Sequence, residues 1–196
     1  AGLFFFFFLL SPSGLPVWAP RYLTISELFA SLSTLTVADT IDVVFRIHSL
    51  YTKFTGSKDT IDSFYGWGLR LLSDFENIDR NLADAKKIFR NIADIKEIEN
   101  KDFLSERQEA VLKSFFRDFK PNDNTLIKER FLVLWNNLYS IYTGLKSELQ
   151  EEGILFEGGL CRSVIESLQN GKMSIPKDTE KFVFVGFNVL SAVEER

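Results

Sequence analysis

Phe182-Val183-Phe184-Val185-Gly186-Phe187-Asn188 decides how this chain is read. A continuous run of aromatic and β-branched residues is the pattern of a strand buried on both faces, and such a strand needs neighbours on each side. The preceding sequence barely supplies them, because almost everything from residue 39 to 170 has helical periodicity. The strand therefore belongs to a very small sheet or to a domain that continues elsewhere, and the chain is expected to be a piece of something larger.

Working back from that stretch, a helix over 159–170 carries Leu160, Val164, Ile165 and Leu168 on one face and ends at Gly171. Before it lies the longest periodic segment, Thr125 to Glu152. Its Phe131, Leu134, Trp135, Leu138, Ile141, Tyr142, Leu145 and Leu149 point inward, and Gly153 stops it. Ser105-Glu106-Arg107-Gln108 fits a capping box ahead of Val111, Leu112, Phe115 and Phe119. Ile88, Phe89, Ile92 and Ile95 make a short apolar face. Phe64, Trp67, Leu71, Phe75, Ile78 and Leu82 make a longer one. A further helix places Ile41, Val44, Phe45, His48, Tyr51 and Phe54 on its face and ends at Thr55-Gly56.

Upstream of residue 39 the pattern changes again. Tyr22-Leu23-Thr24-Ile25 reads as a short strand, and Ser26 as the N-cap of a helix through Leu32. Pro16-Val17-Trp18-Ala19-Pro20 is extended by proline restriction. Leu3 to Leu10, with phenylalanine at 4 to 8, lacks a basic flank and is too short to span a bilayer, so it reads as a strand or the start of a core helix. The fold expected is α/β but predominantly helical, with a large helical insertion at 39–152 between α/β segments at 1–38 and 153–196.

Composition limits the chemistry. With 196 residues, 45% hydrophobic, the chain can bury a core, and a net charge of -4 argues against a broad electrostatic grip on nucleic acid. A lone cysteine, Cys161, can form neither an internal disulfide nor a metal site by itself, which fits a reducing cytoplasm. No P-loop is present: Gly171-Lys172 is followed by Met173, and Glu166 stands where the first glycine should be. Gly66-Trp67-Gly68 lies inside a helix, where two glycines suggest close helix packing more than phosphate binding. His48 reads as a core or boundary histidine. Arg162 could lower the pKa of Cys161, but a packed thiol is the plainer reading. Asp74, Glu76 and Asp79 read as a solvated acidic face. No catalytic, metal or cofactor site is expected within these residues.

Phe64-Tyr65-Gly66-Trp67-Gly68, Leu71-Leu72-Ser73-Asp74-Phe75-Glu76-Asn77-Ile78-Asp79, Ile88-Phe89-Arg90-Asn91, the stretch from Glu152 to Leu160 and the stretch from Phe182 to Ser191 occur in an order and spacing that resemble a bacterial family. They resemble the N-terminal region of the AddB-like helicase-nuclease proteins, in the PD-(D/E)XK nuclease form typical of Bacteroidota. The resemblance implies a longer protein, a magnesium-dependent deoxyribonuclease, that works with an AddA-like motor subunit on broken DNA ends in repair and recombination. It implies a partial RecA-like parallel sheet, with 39–152 as its inserted helical domain and 182–188 in the place of the Walker B strand. Gly186, Phe187 and Asn188 would then stand where hydrolytic acids belong, a degenerate Walker B position and an inactivated motif. On this reading the fragment is non-catalytic, a scaffold or a DNA-contacting surface, with Lys86, Lys87 and Arg90 as candidate DNA contacts and no membrane partner. The same three residues would equally well solvate a helix, and the other functional class left open is a helical protein-protein interaction domain without DNA contact.

Overall fold

A computed structural model describes residues 21–90, 124–173, 182–186 and 189–196, with the backbone alone for 124–132. The phenylalanine run, the segment 16–20, the expected capping box at Ser105 with its apolar face, Ile92, Ile95, the side chain of Phe131, Phe187 and Asn188 lie outside the described residues.

The first helix, α1, spans Ile25–Leu32, and residues 21–24 form no strand. Its N-cap is Thr24 and not Ser26. The Thr24 hydroxyl accepts from the Glu27 N–H at 3.2 Å while the Glu27 carboxylate accepts from the Thr24 N–H at 2.7 Å. This reciprocal pair satisfies two orphan donors and starts the helix where the expected strand would have ended. Ser26, thereby inside the helix, donates its hydroxyl to Glu157.

Strand β1, Thr36–Val37, pairs in parallel with β2, Ile154–Leu155, with Thr36 opposite Ile154 and Val37 opposite Leu155. The architecture is thus predominantly helical around a small parallel sheet. The described part of the stretch that suggested a buried strand, 182–186, is not one. Residues 182–186 carry no strand pairing, Val183 and Val185 are 71% and 84% exposed, and Gly186 turns through a φ of +84°. Among the described residues β1 and β2 pair only with each other, so no ladder receives this segment; the Phe182 and Phe184 rings stack on one another, 6.3 Å apart.

Between the strands the described residues form helices where the apolar spacing placed them. Helix α2, Thr40–Thr55, is capped by the Asp39 carboxylate and closed by Gly56 in the left-handed region. It packs on two partners, α3 (Ile61–Arg80) and α5 (Asn124–Glu151), and buries Val43, Val44, Ile47 and Leu50. Ile41 and Phe45, expected inside, are 55% and 51% exposed, because the flank bearing Val43 and Ile47 faces both neighbours. On α3 the inward residues are Phe64, Gly68, Leu71, Leu72, Phe75 and Asp79. A Cβ at Gly68 would lie 2.8 Å from Val44, so close α2–α3 packing does require that glycine, whereas Gly66 faces open space.

Residues 85–90 are helical, α4, and bury Ala85 and Phe89. Helix α5 buries Leu134, Leu138, Ile141, Tyr142, Leu145 and Leu149, and the chain turns at Gly153 with φ +73°. Helix α6, Glu157–Gln169, lies against α3 so closely that a Cβ at Gly158 would sit 2.6 Å from the Glu76 carbonyl oxygen. A last turn, α7 (Ala192–Glu195), begins at a Ser191–Glu194 capping box and inserts Val193 into the core. One cluster of buried side chains runs from Phe29 in α1 to Val193 in α7.

Candidate functional site

The last turn of α3 places a carboxylate where periodicity demands an apolar side chain. Asp79 follows Phe75 by four residues on the inward stripe and is 0% exposed, so it is not part of a solvated acidic face. A buried carboxylate is tolerable only if paired and hydrogen-bonded. Three side chains from two other helices meet that demand. From α5, the Tyr142 hydroxyl donates to Oδ1 at 2.5 Å and Lys146 Nζ donates to Oδ2 at 3.0 Å. From α6, Arg162 Nη1 donates to Oδ1 at 3.2 Å.

The cluster is cross-braced. Lys146 Nζ also donates to the Tyr142 oxygen at 3.2 Å, one helical turn away. Arg162 Nη1 reaches the Ala83 carbonyl at 2.7 Å, and its Nε holds Glu166 at 2.7 Å. Burial works against the charge on Arg162, but Glu166 and Asp79 outweigh it and hold the guanidinium protonated more firmly than usual. Burial, then the bond to Asp79, drives the Tyr142 hydroxyl far above the ordinary tyrosine range, so it remains a donor.

Local backbone geometry makes the Ala83 contact possible. The Leu82 N–H bonds to the Asp79 carbonyl and the Ala83 N–H to the Ile78 carbonyl, each at 3.0 Å, which is a Schellman closure of α3. The left-handed position is filled by Leu82, φ +51°, and not by glycine. The same closure at the end of α6 uses Gly171. A leucine there costs on the order of 1 kcal/mol of backbone strain, offset by its packing against the core.

Above Asp79 the surface opens into a cleft of about 610 Å³. Lys146, Arg162 and Glu166 form part of its floor, Tyr139, Thr143 and Ser147 line the α5 side, and Asp84 and Lys86 lie on the α4 side. Of the residues singled out in the sequence, Lys86 is exposed in this wall. Lys87 is exposed beside it and pairs with Asp84 at 3.6 Å. Arg90 is exposed on the same helix but does not line the cleft. Gly186 is exposed in the irregular segment.

The remaining titratable candidates are committed to packing. His48 Nε2 bonds to the Asp59 carbonyl at 2.7 Å and its ring lies 5.0 Å from Phe64, which is the boundary histidine expected. Cys161 is buried, and burial pushes its thiol up to about 11. Arg162, thought able to activate it, is turned to Asp79; the cation that bears on the thiol is Arg80, and burial outweighs it. Among the described residues no group of three metal-ligating side chains converges, and no helix is long and apolar enough to cross a membrane.

Sequence reasoning missed the Asp79 cluster. The signal was available: Asp79 is in phase with Phe64, Leu71 and Phe75, and a carboxylate in that register has to be answered by cations from neighbouring helices. Comparison with protein-family models, with curated proteins and with solved structures gives no match to this chain.

Proposed function

We propose that this chain is a non-catalytic, helicase-like segment of a DNA end-processing helicase-nuclease, serving as scaffold and offering a DNA-contacting surface. The observation that carries this reading is the layout of the sheet. The chain leaves β1, builds the helical block and returns in β2 parallel to and beside β1, as a helical insertion between neighbouring strands of an α/β domain must. The resemblance of Phe64–Gly68, Leu71–Asp79 and Glu152–Leu160 to AddB-like proteins points the same way, and makes β1 and β2 the remnant of a RecA-like sheet. The full-length protein would then be a cytoplasmic, magnesium-dependent nuclease with an AddA-like partner. The contact surface would be the exposed face of α4 at Lys86, Lys87 and Arg90.

Fluorescence anisotropy of labelled forked and single-stranded DNA, titrated with the chain across a range of salt, tests the DNA contact. Binding at low salt that weakens with added salt, and that weakens further when Lys86, Lys87 and Arg90 are replaced by alanine, is the expected result. A flat response at low salt overturns it.

A protein-protein module without DNA contact is favoured by one observation, the exposed apolar segment Phe182-Val183-Phe184-Val185. In that case Val183→Lys with Val185→Lys abolishes capture of the AddA-like subunit, and DNA titrations stay flat at every salt concentration.

A further inference from the structure

The cluster beneath the cleft leaves donors to spare. A guanidinium has five N–H donors and an ammonium three. The bonds from Arg162 to Glu166, Asp79 and Ala83 use Nε and Nη1, which leaves Nη2 for a ligand. The bonds from Lys146 to Asp79 and Tyr142 leave one further N–H. Both cations are held in place from below by a carboxylate that is fully buried, so neither has to be ordered when a ligand arrives.

Charge and shape narrow the ligand. Among the described residues Lys86, Lys146 and Arg162 line the cleft against Asp84 and Glu166, with Asp79 buried beneath, so its charge is balanced and it is the unused donors of Lys146 and Arg162 that favour an anionic group. Two helical turns along α5 from Lys146, roughly 10 Å at 1.5 Å per residue, Tyr139 also lines the cleft. Its ring is backed by Phe89, with centroids 6.5 Å apart, and it is 37% exposed, which leaves surface for a planar group to stack. Thr143 lies between the two ends; its hydroxyl donates to the Tyr139 carbonyl at 2.9 Å, which leaves its oxygen as an acceptor. The volume lies within the range of small-ligand sites.

We propose that this cleft binds a nucleoside 5′-phosphate, with the phosphate on Lys146, Arg162 and Lys86, the base on Tyr139 and the sugar along Thr143. The source of that group is either a free mononucleotide or the 5′-terminal nucleotide of a strand. The inference stands on the cleft and not on the scaffold reading: salt-dependent DNA binding through the α4 face can fail while mononucleotide binding succeeds, and the reverse.

Isothermal titration of the whole chain with adenosine 5′-monophosphate, adenosine, and oligonucleotides with and without a 5′-phosphate tests it. The monophosphate is expected to bind about tenfold or more tightly than adenosine, the loss of one charge-assisted phosphate contact. Tyr139→Leu and Lys86→Gln, both outside the buried cluster, are each expected to weaken it roughly tenfold. Saturation by the 5′-phosphorylated oligonucleotide but not by the monophosphate assigns the site to strand ends. Absence of saturable binding by either phosphorylated probe overturns the proposal. So does binding indifferent to the phosphate or to both substitutions.

Discussion

The Tyr142 hydroxyl donates to the Asp79 carboxylate at 2.5 Å across 63 residues of sequence, joining α5 to the last turn of α3. Neither residue is more than 5% exposed, so the bond forms where water cannot compete.

Removing the carboxylate leaves Lys146 and Arg162 facing each other without their shared counter-charge. Asp79→Ala is expected to lower unfolding stability by about 3 kcal/mol, the scale for breaking a buried ionic cluster from one side. Urea unfolding followed by circular dichroism measures it, as a lower midpoint with an unchanged slope. A loss below about 1 kcal/mol would show the cluster to be solvated in solution.

Alkaline pH strikes the same bond. The folded state holds the Tyr142 hydroxyl well above the ordinary value, through burial and then Asp79, so folding favours the protonated phenol. For a raised pKa the stabilisation is complete below the unfolded value, near 10 for tyrosine, and is lost as pH rises beyond it. Stability should therefore fall from about pH 10 upward, and Tyr142→Phe should flatten part of that fall. Equal slopes for the two proteins between about pH 9 and 11 would rule out this residue as the cause.

Two glycines should respond in opposite directions. Gly158→Ala drives a Cβ to 2.6 Å from the Glu76 carbonyl oxygen, a backbone atom that cannot step aside. A loss of about 1–3 kcal/mol is expected, as for overpacking. Gly66→Ala meets nothing within 4 Å in a helix interior and should gain up to about 1 kcal/mol from helix propensity. Thermal unfolding of the two variants checks both signs, and a stabilising Gly158→Ala would mean that α3 and α6 stand farther apart than described.

Cys161 should be chemically quiet. With its thiol raised to about 11 by burial, the thiolate is scarce at neutral pH and the sulfur is covered. Labelling by a chromogenic disulfide reagent at pH 7.5 should be slow in the native protein and immediate in urea. Fast native labelling would contradict the packing of α6 against α3.

The helices were legible because their signals are local: apolar spacing, and glycines at 56, 153 and 171 that all take positive φ. The face of α2 was less so, since Ile41 and Phe45 continue an apolar row as well as Val43 and Ile47 do, and only contact with two neighbours decides between rows. The sheet was misread for a similar reason. Phe182 to Val185 has the composition of a buried strand, yet pairing depends on a partner edge, and the edges that meet are the unremarkable pairs Thr36–Val37 and Ile154–Leu155. Asp79 escaped because a carboxylate among Asp74 and Glu76 looks like one more surface charge. Its meaning lies in Tyr142, Lys146 and Arg162, far away in sequence.

The parallel pairing of Thr36 with Ile154 gives the long excursion between them a single doorway, where entry and exit run side by side in the same direction. Arg46 and Glu152, 106 residues apart, lock it from one side with two hydrogen bonds at 2.7 and 2.8 Å. No tight turn could stand in for the excursion, since parallel neighbours demand a crossover of about a dozen residues or more. The excursion is also held from behind, where Gly158 lets α6 close onto the Glu76 backbone of α3, so any change of length in it has to leave both the threshold and that back wall in place.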